Sequence, residues 1–272
     1  MKNHYRIAFA LSLVFCISSA HAQESDSAHV QESDSDKGKL DLSFTLQNMF
    51  YWRGAPLSVF STPEQTPAPL MIAEMTYAKK GFTAGFWTGQ SFISSGYKNA
   101  SYYVKYDWGN FNVSLWDVYT YSGVAQNRSR DFFNFKNAET QHFIDLDFGY
   151  KLKKIPLSFF IATIIYGRDG NYVGEDYQNR YSTYFKVDYL LKVNETIGVD
   201  FFSSYGLVLN NVDGVNFYGT FDSTDSHGFT EFGLTGSKKF QITPTYSIDL
   251  SVGAIASPLS KRVDGLIAIK LL

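Results

Sequence analysis

Ser101-Tyr102-Tyr103-Val104-Lys105-Tyr106-Asp107-Trp108 decides the fold. Tyr102, Val104, Tyr106 and Trp108 fall on one side of an extended chain; Ser101, Tyr103, Lys105 and Asp107 fall on the other. Side chains alternate faces along a strand, so this strand is apolar on one face and wet on the other. About a dozen segments of roughly ten residues repeat the pattern, which predicts an all-β fold, a closed transmembrane antiparallel up-and-down β-barrel with lipid outside and a polar lumen.

Composition agrees. The chain has 272 residues, with 17% aromatic and only 18% charged, rich in Tyr and Phe and poor in charge for a soluble domain. A formal net charge of -2 offers no basic stripe for a nucleic-acid partner. The one long apolar run, 7–19, is short for a membrane-crossing helix and lies at the N-terminus.

That run reads as an export signal over residues 1–22. Lys2 and Arg6 supply a positive start, and Ala20-His21-Ala22 a small-x-small cleavage site. The single cysteine, Cys16, lies within it, so a cleaved chain carries no disulfide. A lipidated Cys16 is the alternative, and the bulky Phe15 before it argues against that. Residues 23–39 repeat Gln-Glu-Ser-Asp-Ser at 23–27 and 31–35. With so few apolar residues this stretch reads as a disordered acidic periplasmic tail, and the barrel as residues 40–272.

Strands are predicted near 40–53, 70–79, 81–92, 100–108, 111–121, 140–151, 156–167, 180–191, 195–206, 228–237, 243–255 and 263–272, an even number as a closed barrel requires. Short turns (79–81, 109–110, 151–156, 192–195, 237–244) alternate with mostly longer polar loops (54–69, 93–99, 122–139, 168–179, 207–227, 256–262). Tight turns at one rim and long loops at the other are what a barrel with both termini in the periplasm gives; a sandwich has no reason to sort its loops. Strand 156–167 is apolar on both faces, as where a lumen is filled by side chains or a loop. Strands 81–92 and 111–121 blur, as across a bulge. Phe50, Tyr51 and Trp52, with Tyr106, Trp108, Tyr119, Tyr121, Tyr150, Tyr166 and Tyr189, lie toward strand ends and read as interfacial girdles.

The wet face then carries the acids Asp41, Glu74, Asp107, Asp145, Asp147, Asp188, Asp200, Glu231 and Asp249, and the bases Arg53, Lys105, Lys186 and Lys270. That surplus of carboxylates predicts a mild preference for cations in a conducting lumen. Lys105 with Asp107, and Lys186 with Asp188, are same-face neighbours able to neutralise each other. Tyr103, Tyr184, Phe202 and Trp87 point inward and narrow the bore.

Signals for catalysis are sparse. Apart from the export signal and the tail, only His142 and His227 remain. His142 begins a strand near a rim, where Ser122 or Ser129 could meet it as a lipid hydrolase needs. The run Asp222-Ser223-Thr224-Asp225-Ser226-His227 has the oxygen donors of a divalent-cation loop without a defined spacing. A solvated loop tip is the plainer reading. No cofactor is expected.

Tyr51-Trp52-Arg53-Gly54, the Pro-rich loop after it, and Tyr77 to Trp87 with Lys80-Gly81-Phe82-Thr83-Ala84-Gly85-Phe86-Trp87 resemble the TorF-type porin family over about the first 55 residues of the barrel. There an aromatic-x-Arg-Gly closes the first strand and a small-Gly-aromatic-Trp run forms the second hairpin. The resemblance implies an outer-membrane barrel with a transport role and brings no established substrate or catalytic residue. Arg53 itself reads as a rim residue that clamps loop acids or faces a ligand, the structural role being the plainer, with Gly54 permitting the turn. The chain ends on Leu272, where such barrels usually end in an aromatic.

The expectation is a porin-like outer-membrane channel passing small hydrophilic solutes. Its partners are outer-membrane lipids, lipopolysaccharide and the barrel-assembly machinery. The alternatives are a non-conducting structural or surface-binding barrel and, third, a lipid-modifying enzyme. Wide, narrow and plugged lumens all stay open at this point.

Overall fold

Alternating apolar residues bury nothing unless the sheet closes, because an open edge in hydrocarbon leaves backbone groups without partners. In a computed structural model, which describes residues 37–57, 68–93, 96–122, 128–218 and 225–272, the sheet does close. The export signal 1–22, most of the tail 23–39 and residues 222–224 of the proposed cation loop lie outside the described residues.

The elements are β1 (Lys39–Gln47), β2 (Tyr51–Trp52), β3 (Ala55–Pro56), β4 (Leu70–Lys79), β5 (Phe82–Ser91), β6 (Lys98–Trp108), β7 (Phe111–Thr120) and β8 (His142–Lys151). They continue as β9 (Leu157–Gly167), β10 (Gly170–Val173), β11 (Asp176–Asn179), β12 (Ser182–Lys192), β13 (Ile197–Val208), β14 (His227–Thr243), β15 (Tyr246–Ser257) and β16 (Arg262–Lys270). Twelve of them form one closed antiparallel barrel in the order β1-β16-β15-β14-β13-β12-β9-β8-β7-β6-β5-β4. β2–β3 and β10–β11 are separate two-stranded hairpins in the loops.

The deciding stretch behaves as its pattern requires. Tyr102, Val104, Tyr106 and Trp108 are between 44 and 48% exposed on the outer surface, whereas Ser101 and Tyr103 are 2% and 9% exposed. At the tight-turn rim, Trp108 stacks on Phe111 and Phe111 meets Tyr150, part of a ladder of outer rings. Phe50, Tyr51 and Trp52 depart from the girdle expectation. Phe50 and Tyr51 are buried, and Trp52 packs on buried rings inside the barrel. The first barrel strand ends at Gln47, and the chain then turns into the lumen.

Turn chemistry sets the hairpins. Lys80 and Gly81 both have positive φ (50° and 81°) in the two-residue turn joining β4 to β5, the I′ pattern that matches strand twist. Arg53 and Gly54 (49° and 91°) repeat it between β2 and β3.

The seam between first and last strands is short. β1 and β16 share three register pairs, Thr45↔Lys270, Leu46↔Ile269 and Gln47↔Ala268, where other neighbours share seven to eleven. Asn48 extends it. Its backbone N donates to Ile267 O (3.0 Å), its Nδ2 donates to Gly265 O (2.8 Å), and its Oδ1 accepts from Ile267 N (2.8 Å). One side-chain amide thus stands in for a further strand residue.

Register is unbroken along β5 and β7, so the bulges expected there are absent from them. Bulges occur instead between Ile144 and Asp145 on the β8–β9 pair and between Ser204 and Tyr205 on the β13–β14 pair. The second leaves Thr230 as an extra residue, buried beside Glu231. These two, unlike a third shift between Gln241 and Thr243 on the β14–β15 pair, border the group described next.

Candidate functional site: a filled lumen

The lumen is occupied by parts of its own loops. After Asn48 the chain enters the barrel. Met49 and Tyr51 pack on Phe202 and Ile255, and Phe50 packs on Leu70, Ile72, Trp87 and Tyr97. From the opposite loop Tyr218 joins Phe143, Ala162, Ile164 and Tyr184, with Trp52, Phe160 and Phe217 against them. The two apolar faces of the β9 segment are explained: Ala162 and Ile164 are fully buried toward this cluster, while Ile161 and Ile165 face out.

Gly54 lets the tip sit where it does. A Cβ there would lie 2.8 Å from both Thr230 Cβ and Thr230 O, and Ser257 Oγ donates to Gly54 O at 3.0 Å. Space for the rings comes from inward glycines: a Cβ on Gly85 would collide with the Tyr103 ring, and one on Gly233 with Phe202. Trp87, Tyr103, Tyr184 and Phe202 are all buried, as the alternation required.

At the centre of this packing is Arg53. Its Nη1 donates to Asp145 Oδ2 at 2.5 Å and to Tyr218 OH at 3.3 Å, and its Nη2 to Asp147 Oδ1 at 3.4 Å. Its guanidinium lies 4.8 to 5.6 Å from the ring centroids of Trp52, Tyr184, Phe160 and Tyr218. A planar fork between rings and carboxylates is the use for which Arg is suited. Asp147 also accepts from Ser114 Oγ at 3.3 Å. Arg53 does pair with acids, but they are Asp145 and Asp147 of β8 on the barrel wall inside the lumen, where loop acids at the rim were expected.

The other charged residues of the wet face sort into pairs. Lys186 meets Asp188 and lies over the Phe202 ring. Lys105 meets Asp107 at 3.2 Å. Glu74 accepts from Tyr103 OH at 2.6 Å, and Glu231 from Tyr184 OH. Asp200 stands opposite Thr235, and Asp249 stands between Lys239 and Lys270 in adjacent strands.

Cross-strand partners share a face, and the register adds bases that the pattern reading passed over. Lys39 lies on the row Ala78–Thr83–Lys105–Ser114–Asp147, Lys151 on the row of Ser158 and Asp188, and Lys192 opposite Gly198. With Lys239, these bring the wet face close to charge balance. The expected carboxylate surplus came from counting four bases where the register places more.

The loops over this centre are latched together. Arg180 Nε donates to Asp213 Oδ1 at 2.7 Å, and Asn171 Nδ2 to Asp213 Oδ2 at 3.0 Å. Asp169 accepts from Ser182 N (2.7 Å) and Ser182 Oγ (2.9 Å), and Ser182 Oγ accepts from Phe217 N at 3.0 Å. Tyr218 OH donates to Ser182 O at 3.0 Å. Burial pushes the Asp169 carboxyl up to about 6 against the pull of Ser182 and Arg180; hydrogen bonding to Arg180 holds the Asp213 carboxyl below its ordinary value.

The serine–histidine pair weighed for a hydrolase is not assembled. His142 Nδ1 lies 2.6 Å from Asp117 Oδ1 and Nε2 lies 2.8 Å from Phe132 O. Ser122 Oγ accepts from Lys98 N at 2.6 Å and Ser129 Oγ from Asp131 N. His227 Nδ1 meets Tyr205 OH at 2.7 Å. Among the described residues no group of His, Cys, Asp and Glu has the arrangement of a metal site.

No family model and no curated protein matches the chain. Among solved structures it is similar to the NanC porin, at 9% identity and a TM-score of 0.47, over 85% of this chain and 98% of that one. It is also similar to the COG4313 outer membrane channel from Pseudomonas putida F1, at 12% identity and a TM-score of 0.42, over 90% and 98%. A third is the translocator domain of the autotransporter NalP from Neisseria meningitidis, at 9% identity and a TM-score of 0.34, over 89% and 90%. At these values they say nothing of what passes through this barrel.

Proposed function

We propose that this chain is a porin-like outer-membrane channel for small hydrophilic solutes, closed at rest by its own β2–β3 hairpin. The observation that carries the reading is the Arg53 clamp. A turn made for a strand hairpin is inserted into the lumen and fixed to the wall by charge, an arrangement that closes the bore and can be undone. Toward the tight-turn rim the wet face is polar, with Glu74, Lys105, Asp107, Asp200 and Asp249 only partly buried, as befits a water-filled vestibule. Near charge balance makes the preference for cations weak in this reading. Lipopolysaccharide and other outer-membrane lipids would surround the barrel, placed there by the assembly machinery.

Swelling of proteoliposomes in neutral sugars of graded size tests it. Slow entry of the smallest sugars and exclusion of larger ones is expected. Impermeability throughout, from a barrel that is folded by heat-modifiable mobility, favours the second reading, a non-conducting barrel. The tight packing of Phe143, Phe217 and Tyr218 around Trp52, beside Arg53, is what speaks for that alternative.

A further inference from the structure

Arg168 follows the last residue of β9 and packs among buried groups at the loop end of the barrel. Its guanidinium carbon lies 5.0 Å from the Phe143 ring centroid and 5.5 Å from that of Phe217. Nη2 donates to Thr120 Oγ1 at 2.9 Å. Nε is buried and has no partner, and no carboxylate among the described residues pairs with this side chain. A second guanidinium shares the corner: Arg128 donates to the carbonyls of Ala138, Thr140 and Arg168 itself and to Tyr177 OH. These acceptors are neutral, so among the described residues the two positive charges stand together without a paired carboxylate. Arg53 has two carboxylates and Arg180 has Asp213; here no described residue supplies one.

An uncompensated guanidinium with unused N–H donors is costly to leave as it is. The rings at its faces leave the fork edge as the direction of approach, and that edge matches the paired oxygens of a carboxylate or phosphate. We propose that Arg168 is the binding residue of a small-oxyanion site in the loop-side mouth, with Thr120 fixing its fork and Arg128 adding charge. The site stands whether or not the lumen conducts, so a closed barrel would leave it intact.

The full chain, refolded in detergent, is titrated with inorganic phosphate at constant ionic strength, and the unfolding midpoint and binding heat are recorded. A saturable rise in midpoint is expected for the wild type. Arg168→Met should weaken the apparent affinity at least tenfold, and Arg130→Met, at an exposed loop position, should leave it unchanged. Absence of a saturable response in the wild type overturns the proposal, as does an equal loss in the Arg130 variant. If Arg168→Met fails to refold, Arg168→Lys carries the comparison: it keeps the charge without the planar fork, and undiminished affinity in it overturns the site as drawn. A lipid phosphate presents the same oxyanion as a free solute. Competition between lipopolysaccharide micelles and phosphate would assign the lipid as occupant, and independence the solute.

Discussion

Arg53 and Asp145 are 92 positions apart in sequence, and their side chains meet at 2.5 Å in the middle of the barrel. One is at the tip of a loop hairpin, the other on the wall opposite. That contact joins the fold to the proposed function, in which loosening it frees the segment that fills the lumen.

The clamp should be costly to break from one side. Arg53→Met leaves Asp145 and Asp147 buried beside each other without their cation, a change worth about 3–5 kcal/mol in comparable buried pairs. The urea midpoint of the heat-modifiable folded band should fall accordingly. The triple variant with Asp145→Asn and Asp147→Asn should recover part of the loss. An unchanged midpoint in the single variant would mean that the pair is not formed.

Gly54→Ala tests the hairpin without touching a charge. The residue has φ 91°, and its new methyl would lie 2.8 Å from Thr230, so strain and collision act together. The expected result is a loss of more than about 1 kcal/mol with stronger acrylamide quenching of tryptophan fluorescence as Trp52 leaves its cluster. Stability and quenching equal to the wild type would place the hairpin elsewhere.

Asn48→Ala tests the seam. It removes one donor and one acceptor at the shortest strand pairing of the barrel, for an expected cost of roughly 1–3 kcal/mol if Gly265 O and Ile267 N are left unpaired. The measurement is again the unfolding midpoint of the folded band, with Asn48→Asp retaining the acceptor alone and falling between the two.

The loop latch gives a pH signature. Asp213 is held below its ordinary value by Arg180, so its contribution is present above the unfolded carboxylate value and is lost as pH falls through the lowered folded one. Asp213→Asn should therefore be less stable than the wild type at neutral pH, by about 0.5–1 kcal/mol for a partly exposed pair, and the gap should close in acid. Asp169 acts with opposite sign: raised to about 6, it adds stability as pH falls through that value. A gap between wild type and Asp213→Asn that widens in acid would contradict the assignment.

Much of the barrel was legible because its information is periodic. The stretch 101–108 states which side meets lipid, and Leu70–Lys79 was readable because its largely apolar run stops at the Lys79-Lys80-Gly81 turn. The lumen was less so. Tyr51, Trp52 and Arg53 continue the alternation of the first strand, so pattern alone extends that strand to 53. What ends it at Gln47 is tertiary: Asn48 caps the seam, and the next residues find apolar partners on Phe202, Ile255 and Leu70. A two-residue Arg53-Gly54 turn with Ala55-Pro56 behind it was the local signal for a hairpin. Tyr218 and Arg168 carried no pattern at all, being loop residues placed by contacts far away in sequence. The wet-face lysines at 39, 151, 192 and 239 needed register, since strand ends are where periodicity fades.

Single-channel conductance in planar bilayers, recorded for the wild type and Arg53→Ala side by side, tests the central claim. A channel closed by its hairpin predicts rare, brief openings in the wild type and frequent or sustained ones in the variant, with weak selectivity between potassium and chloride. Equal conductance in the two, or silence in both from folded protein, would contradict it.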